Sequence, residues 1–221
     1  MPVFNEIATI EQAVIRVMDL PIDKELIIFD DYSTDGCREL LIELNKKYNF
    51  KLLLHEKNLG KGRGVIEASK YATGEYFIVE DSDLELNPSD IVKMLKIIEE
   101  DPSIDLVNGD RKITSSAKVN LVSLIANFVT RVLIFILYGK FLKDILSSYK
   151  LSKLSKFKEL GIQADRFGFE SEWILRSLKN NYKIQEIDIE YSPRTAKAGK
   201  KINILDGFEI IWTIIKLRFA K

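Results

Sequence analysis

Apolar residues recur along the first half of this chain with two alternating periods. Ile7, Ile10, Val14 and Val17 fall on one face of a helix. Glu25–Asp30 then reads as a strand ending in acids, and Leu40, Leu41 and Leu44 line the next helix. Lys51–His55 is a strand, and Asn58–Gly64 leads into a helix that runs to about Tyr71. Tyr76, Phe77, Ile78 and Val79, all aromatic or β-branched, read as a buried central strand. A helix over Ser89–Glu99 and a strand over Asp105–Asn108 follow. Strands that alternate with helices through short loops predict an α/β fold, a mostly parallel sheet flanked by helices.

Beyond Arg111 the pattern changes. Val119–Tyr138 is nearly all apolar, interrupted by Asn120, Ser123, Asn127, Thr130 and Arg131. Its length approaches that of a membrane span, but the central arginine and the polar residues argue against simple insertion. A helix lying in a membrane interface and a helix packed on the domain or on a second copy both remain open. Ser147–Leu151 predicts a short strand, Lys153–Glu159 and Glu170–Asn181 predict helices, and Lys183–Tyr191 alternates as a last strand. An amphipathic C-terminal helix spans Leu205–Phe219, and its basic end suits an anionic surface. No repeat or linker divides the 221 residues, so a single domain over 1–221 is expected.

Composition sharpens this picture in one respect. The formal net charge is zero, yet residues 1–110 hold 23 acidic and 12 basic side chains and residues 111–221 hold 10 and 21. A basic second half suits anionic lipid or a phosphorylated substrate. No basic tract interleaved with aromatics is present, so nucleic acid is not an expected partner. The lone Cys37 excludes an internal disulfide and fits a packing role in a reducing compartment. The only histidine, His55, lies among leucines and reads as structural, which leaves histidine-based acid–base chemistry without support.

The candidate chemistry sits where strands end. Asp81, Asp83 and Glu85 follow the central strand at alternate positions, where carboxylates can converge on a hard cation such as Mg²⁺ or Mn²⁺. An acidic turn capping the next helix is the other reading of the same residues. Asp30 and Asp31 end an earlier strand and could accept hydrogen bonds from a base or a ribose. Paired acids at strand ends also open receiver domains, but those are about half this length and need a downstream threonine and lysine that are missing. Gly60, Lys61, Gly62, Arg63 and Gly64 offer flexible backbone and two cations before a helix, either a phosphate or ribose neighbourhood or an ordinary loop. Arg194, Lys197, Lys200 and Lys201 surround Gly199 after the last strand, a composition suited to a loop that folds over a pyrophosphate.

Taken together these stretches resemble family 2 glycosyltransferases of the GT-A fold, most of all the dolichyl-phosphate mannose and glucose synthases and their polyprenyl-phosphate relatives. Pro2-Val-Phe-Asn-Glu6 is similar to the family's Pro-x-Tyr-Asn-Glu. Phe29-Asp-Asp-Tyr-Ser-Thr-Asp-Gly36 is similar to Val-Asp-Asp-Gly-Ser-x-Asp-Gly, with Tyr32 in the place of glycine. Asn58-Leu-Gly-Lys-Gly62 and the DxD motif Asp81-Ser-Asp83 match directly. Phe167–Glu170, Tyr191–Thr195, Gly199–Ile202 and Asp206-Gly207 resemble the C-terminal signature of the subfamily.

The resemblance implies a donor site, an acceptor site and a membrane-facing region. Pro2, Phe4, Asn5, Glu6, Asp30, Asp31 and Lys61 would surround the nucleotide sugar, with Asp31 facing the base. Asp81 and Ser82 would touch ribose or phosphate, and Asp83, Glu85 and Asp81 would hold Mg²⁺ or Mn²⁺. Arg194 and Lys201 would grip the donor pyrophosphate, while Arg111, Ser147 and Ser148 would border the acceptor phosphate. Residues 119–138 and 205–219 would lie on a membrane surface, giving a peripheral enzyme on the cytoplasmic face. The implied reaction is an inverting transfer from a GDP-mannose or UDP-glucose type donor to a polyprenyl or dolichyl phosphate. A phosphate monoester has a second pKa of about 6 and needs little base catalysis. Glu170 or Glu172 would serve as base for a sugar hydroxyl acceptor instead, and a non-catalytic nucleotide-sugar-binding protein is the reading outside enzymes. The family also carries an apolar strand where this sequence has only Met1, so an upstream start or a truncated first strand is expected.

Overall fold

The computed structural model describes residues 1–113, 121–165, 168–194 and 204–219. Seven strands and eight helices alternate in it: β1 (Pro2–Val3), α1 (Ile10–Met18), β2 (Ile27–Asp30), α2 (Cys37–Tyr48), β3 (Lys51–Leu54), α3 (Lys61–Ser69), β4 (Tyr76–Phe77), α4 (Ser89–Glu100), β5 (Leu106–Ile113), α5 (Leu121–Tyr138), β6 (Lys150–Lys153), α6 (Leu154–Glu159), α7 (Phe169–Lys179), β7 (Ile184–Tyr191) and α8 (Ile204–Phe219).

The strands form two hydrogen-bonded sheets. β1, β2 and β3 are parallel in that order, with Pro2 opposite Phe29 and Ile27 opposite Lys51. The second sheet runs β4-β6-β5-β7: β6 is antiparallel to both neighbours, and β5 and β7 are parallel from Leu106–Ile184 to Ile113–Tyr191. The α/β architecture, rich in parallel pairs and flanked by helices, is the one expected from the alternating pattern. The stretch expected as a central strand differs. Its ladder covers only Tyr76 and Phe77, at the edge of the second sheet. The chain from Ile78 to Glu80 runs on without joining a strand pair, and a side chain makes the contact to β1, Ser82 Oγ donating to Pro2 O at 2.9 Å.

Three apolar clusters carry the packing. α1 and α2 cover β1 and β2 through Ile10, Val14, Cys37 and Leu41. α4 closes over β5, β6 and β7 through Ile91, Met94 and Ile98. The third holds an aromatic group in which Phe157 lies 4.5 Å from Phe77 and 4.6 Å from Trp173, centroid to centroid. The glycines that looked like a flexible loop serve this packing. Gly62 and Gly64 lie inside α3, where a Cβ on Gly62 would stand 2.1 Å from the Ala164 carbonyl oxygen and one on Gly64 would stand 2.0 Å from the Phe29 ring. Close approach of α3 to its neighbours, rather than an open anion cradle, requires them.

α8 packs on both α5 and α7. Tyr138 Oη donates to Ile214 O at 3.2 Å, Arg218 Nε donates to Leu137 O at 2.7 Å, and Lys179 Nζ donates to Leu217 O at 3.1 Å. Thr130 and Ile134 of α5 are buried, whereas Ile125, Phe128, Phe135 and Ile136 are exposed, as is Trp212 of α8. Among the described residues no helix is long and apolar enough to cross a membrane.

Candidate functional site

The loops at the carboxyl ends of β1, β2, β3 and β4 converge, and polar contacts hold them together. After β1, Asn5 donates its backbone N–H to Ser33 Oγ (2.9 Å) and accepts from Thr34 N through Oδ1 (2.8 Å). After β2, Asp30 accepts from Arg38 Nε (2.8 Å) and Ser33 N (3.2 Å). Asp31 accepts from the backbone N–H groups of Leu59 and Gly60, each at 2.8 Å, and stands 3.0 Å from His55 Nδ1. Both carboxylates are buried. Asp31 therefore acts on this side through the Asn58–Gly60 turn it holds, and Asn58 Nδ2 returns a bond to Asp31 O at 3.2 Å. His55 is buried and stacked on Phe29 at 5.6 Å, the structural role its leucine neighbours suggest.

The second acid pair meets side-chain cations. Lys61, at the start of α3, reaches Asp81 Oδ1 at 2.7 Å and Glu170 Oε1 of α7 at 2.6 Å. Burial alone would lower the pKa of Lys61; the two carboxylates outweigh it and raise it, so the ammonium stays charged. Burial would raise the Asp81 carboxyl, but the Lys61 charge prevails and holds it below its ordinary value. Asp83 has only the more distant Arg194, 3.4 Å from its Oδ2, which does not outweigh the opposing effects. Burial first, then the charges of Asp81 and Glu85, push its carboxyl up to about 6.

Arg194, just after β7, links three loops. It forks onto Glu6 (2.8 and 3.0 Å) and lies 3.4 Å from Asp83 Oδ2 and 4.0 Å from Glu85 Oε1. Glu85 also accepts from Tyr191 Oη and from Arg194 N, both at 2.9 Å. Leu84, at φ +62°, makes the turn that lets Asp83 Oδ1 accept from Glu85 N at 3.0 Å. Among the described residues no three acids converge as a metal cage. The donor set nevertheless fits a hard divalent cation. Mg²⁺-type ions are commonly bound by one or two carboxylates together with substrate phosphates. The raised pKa of Asp83 marks surplus negative charge that a cation relieves. Asp83 and Glu85 are the nearer candidates, because Asp81 is engaged by Lys61.

On the other flank, Arg111 of β5 forms a two-pronged ion pair with Asp144 (2.6 and 3.0 Å) and its guanidinium lies 5.1 Å from the centroid of the Tyr191 ring. Ser147 and Ser148 are buried in the segment between α5 and β6, Ser147 Oγ accepting from Tyr149 N at 3.3 Å. That segment is fixed by Lys150, whose fully buried ammonium donates to Ile145 O (3.0 Å) and to Ser147 O. Burial lowers the Lys150 pKa to about 8. Asn108 Nδ2 adds a bond to Asp144 O at 2.7 Å.

Lys61, Asp81, Glu85, Arg111, Ser148 and Glu170 line one narrow cleft of about 50 Å³. The structure thus brings together residues expected on the donor and the acceptor sides. A wider groove of about 560 Å³ opens beyond Glu85, between the end of α1 and the start of α4, but of the acids discussed here only Glu85 lines it. Lys201, Lys197, Lys200 and Phe167 lie outside the described residues. The Asp144 and Lys150 anchors escaped the sequence reading. A lysine inside the small and apolar run Ser147–Leu151 was the available signal.

Comparison with known proteins agrees with this geometry. Residues 1–161 match the model of glycosyl transferase family 2. The whole chain is 29% identical to an uncharacterized protein of Methanocaldococcus jannaschii, of which it covers 98%. Over 93% of the chain it is 29% identical to the glycosyltransferase AglJ of Haloferax volcanii, spanning 66% of that protein. Among solved structures, glucosyl-3-phosphoglycerate synthase of Mycobacterium tuberculosis in complex with Mn²⁺, uridine diphosphate and glucosyl-3-phosphoglycerate superposes on the full chain with a TM-score of 0.75 at 17% identity, over 78% of its own length. Staphylococcus aureus TarS superposes with a TM-score of 0.66 at 20% identity, over 39% of its length. At such identities the likeness establishes the fold, the GT-A architecture. The family model covers both strand-end acid pairs and the segment up to α6, and the chain belongs to glycosyl transferase family 2.

Proposed function

We propose that the protein moves a sugar, with inversion, from a nucleoside-diphosphate sugar to a polyprenyl or dolichyl phosphate at the cytoplasmic face of a membrane, the whole chain acting as one catalytic domain. The observation that carries the lipid acceptor is the outward face of α5. Ile125, Phe128, Phe135 and Ile136 are exposed on the helix that leads into the Asp144–Ser148 segment of the cleft. Apolar side chains of this size, joined by Trp212 and basic residues of α8, suit insertion at the headgroup level of an anionic bilayer.

In this reading Pro2, Phe4, Asn5, Glu6 and the turn held by Asp30 and Asp31 shape the nucleoside pocket. Arg194 and Lys201 bind the pyrophosphate, and Ser82 and Lys61 order the DxD loop. Arg194 leaves its fork on Glu6 to do so. The acceptor phosphate sits between Arg111, Ser147 and Ser148. Its oxygen attacks the anomeric carbon, the bond to the diphosphate breaks, and the electron pair leaves with the nucleoside diphosphate. Arg194 and Lys201 stabilise that growing charge. Asp83 and Glu85, with Asp81 beside them, would hold Mg²⁺ or Mn²⁺, which would supply further positive charge to the leaving group.

No base is required for a phosphate nucleophile, which accords with the state of the two candidate bases. Glu172 accepts from Gln163 N (3.1 Å) and Ala164 N (2.6 Å), and Glu170 is paired with Lys61. Glu170 nevertheless lines the cleft, and this favours transfer to a sugar hydroxyl as the second reading. One experiment separates them: transfer from UDP- and GDP-sugars in Mn²⁺, offered polyprenyl phosphate in anionic vesicles or a soluble sugar. Transfer to the lipid, lost on replacing Phe128 and Phe135 by serine, is expected; transfer to the soluble sugar with lipid untouched would sink the lipid acceptor.

A further inference from the structure

Among the described residues, five other than glycine adopt a left-handed backbone: Asn5, Tyr32, Asn49, Leu84 and Asn181. Asn49 and Asn181 follow the ends of α2 and α7, where asparagine in this conformation is ordinary. Asn5 uses its side chain to bind Thr34 N, and the side chain of Leu84 packs on the cluster beneath α1 and α2. Tyr32 has neither excuse. It carries a bulky side chain at φ +70°, belongs to no apolar cluster, and leaves 47% of its surface exposed. Strain that packing does not demand points to use.

Its surroundings suggest the use. Tyr32 sits in the turn whose next two residues bind Asn5, on the side where Asp31 holds the Asn58–Gly60 turn. The Arg38 guanidinium lies over the ring, 5.8 Å from its centroid, and is itself fixed by Asp30 at 2.8 Å and by the His55 carbonyl. The ring is thus an exposed aromatic surface backed by an immobilised cation, at the rim of the strand-end loops. We propose that Tyr32 is a specificity-determining residue that presents its ring to the base of the nucleoside diphosphate. This rests on the donor reading given above.

The test uses the full-length protein with Tyr32→Asn, which keeps a left-handed turn accessible and removes the ring, and Tyr32→Phe, which keeps the ring. Binding of UDP, GDP and inorganic pyrophosphate is titrated in Mn²⁺. Tyr32→Asn should weaken the preferred nucleoside diphosphate on the order of tenfold, the scale of a base–aromatic stack, and leave pyrophosphate unchanged. Tyr32→Phe should bind as the parent does. A Tyr32→Asn protein that binds the nucleoside diphosphate normally overturns the inference alone, as does equal loss of pyrophosphate, which would mean the ring acts through loop shape. Failure of the parent to bind any nucleoside diphosphate overturns the donor reading and this inference with it.

Discussion

Two acid pairs end strands in this protein, and the structure treats them oppositely. Asp30 and Asp31 are buried and bonded mainly to fixed donors: backbone N–H groups, a stacked histidine and Arg38. Asp81 and Asp83 face the tips of Lys61 and Arg194, long side chains that can move aside. Charge spent on the backbone builds a loop, because an N–H group cannot follow a ligand. Charge balanced by a lysine or arginine tip remains available to one. Lys150 belongs with the first kind, its ammonium spent on two carbonyl oxygens.

The sharpest way to break this contrast is Asp83→Asn. It should cut metal-dependent transfer by about a thousandfold or more, the scale of losing a principal electrostatic contact to the leaving group. It should also abolish the EDTA-sensitive thermal shift produced by nucleoside diphosphate and Mn²⁺. The melting temperature of the unliganded protein should stay or rise, because the substitution removes a carboxylate that burial and two acidic neighbours disfavour. A collapsed melting temperature would place Asp83 with the scaffold acids.

Asp31→Ala should give the opposite pattern. The backbone N–H groups of Leu59 and Gly60 would lose their acceptor in a buried setting, as would His55. A loss of about 2–4 kcal/mol is expected from two orphaned donors, read as a lower urea midpoint at constant slope. An unchanged midpoint with lost nucleotide binding would make Asp31 a direct ligand and erase the contrast.

Periodicity made the alternating α/β order legible, since most helices and strands have a clean 3.6 or 2 pattern with turn residues between. The candidate site was legible as a set of residues, because strand-end acids, the basic residues after the last strand and the family motifs are local. Which acid is bonded to backbone N–H groups and which faces a side-chain cation was not. That depends on partners as distant in sequence as Leu59 from Asp31 or Glu6 from Arg194, and no local pattern reports them. The glycines of α3 misled for the same reason, since Phe29 and Ala164 decide their role from elsewhere in the chain. Tyr76–Val79 has the composition of a central strand, yet ladder formation depends on what lies beside it.

The smallest effect concerns Lys150 and is read by pH. Burial lowers its folded pKa from an ordinary 10.5 to about 8, so between these values the unfolded chain binds a proton that the folded chain has released. Stability should therefore rise with pH over that window, and below about 8 both states carry the charge and the folded state bears the full cost of burying it. The span corresponds to at most about 3 kcal/mol, and tyrosine ionisation confines the useful range to about pH 8–10. Urea midpoints of the parent should climb through this range, while those of Lys150→Met should not share the climb. Parallel curves for the two proteins would mean that the Lys150 ammonium is stabilised by its carbonyl partners as fully as by water, and that spending a charge on the backbone costs this fold nothing.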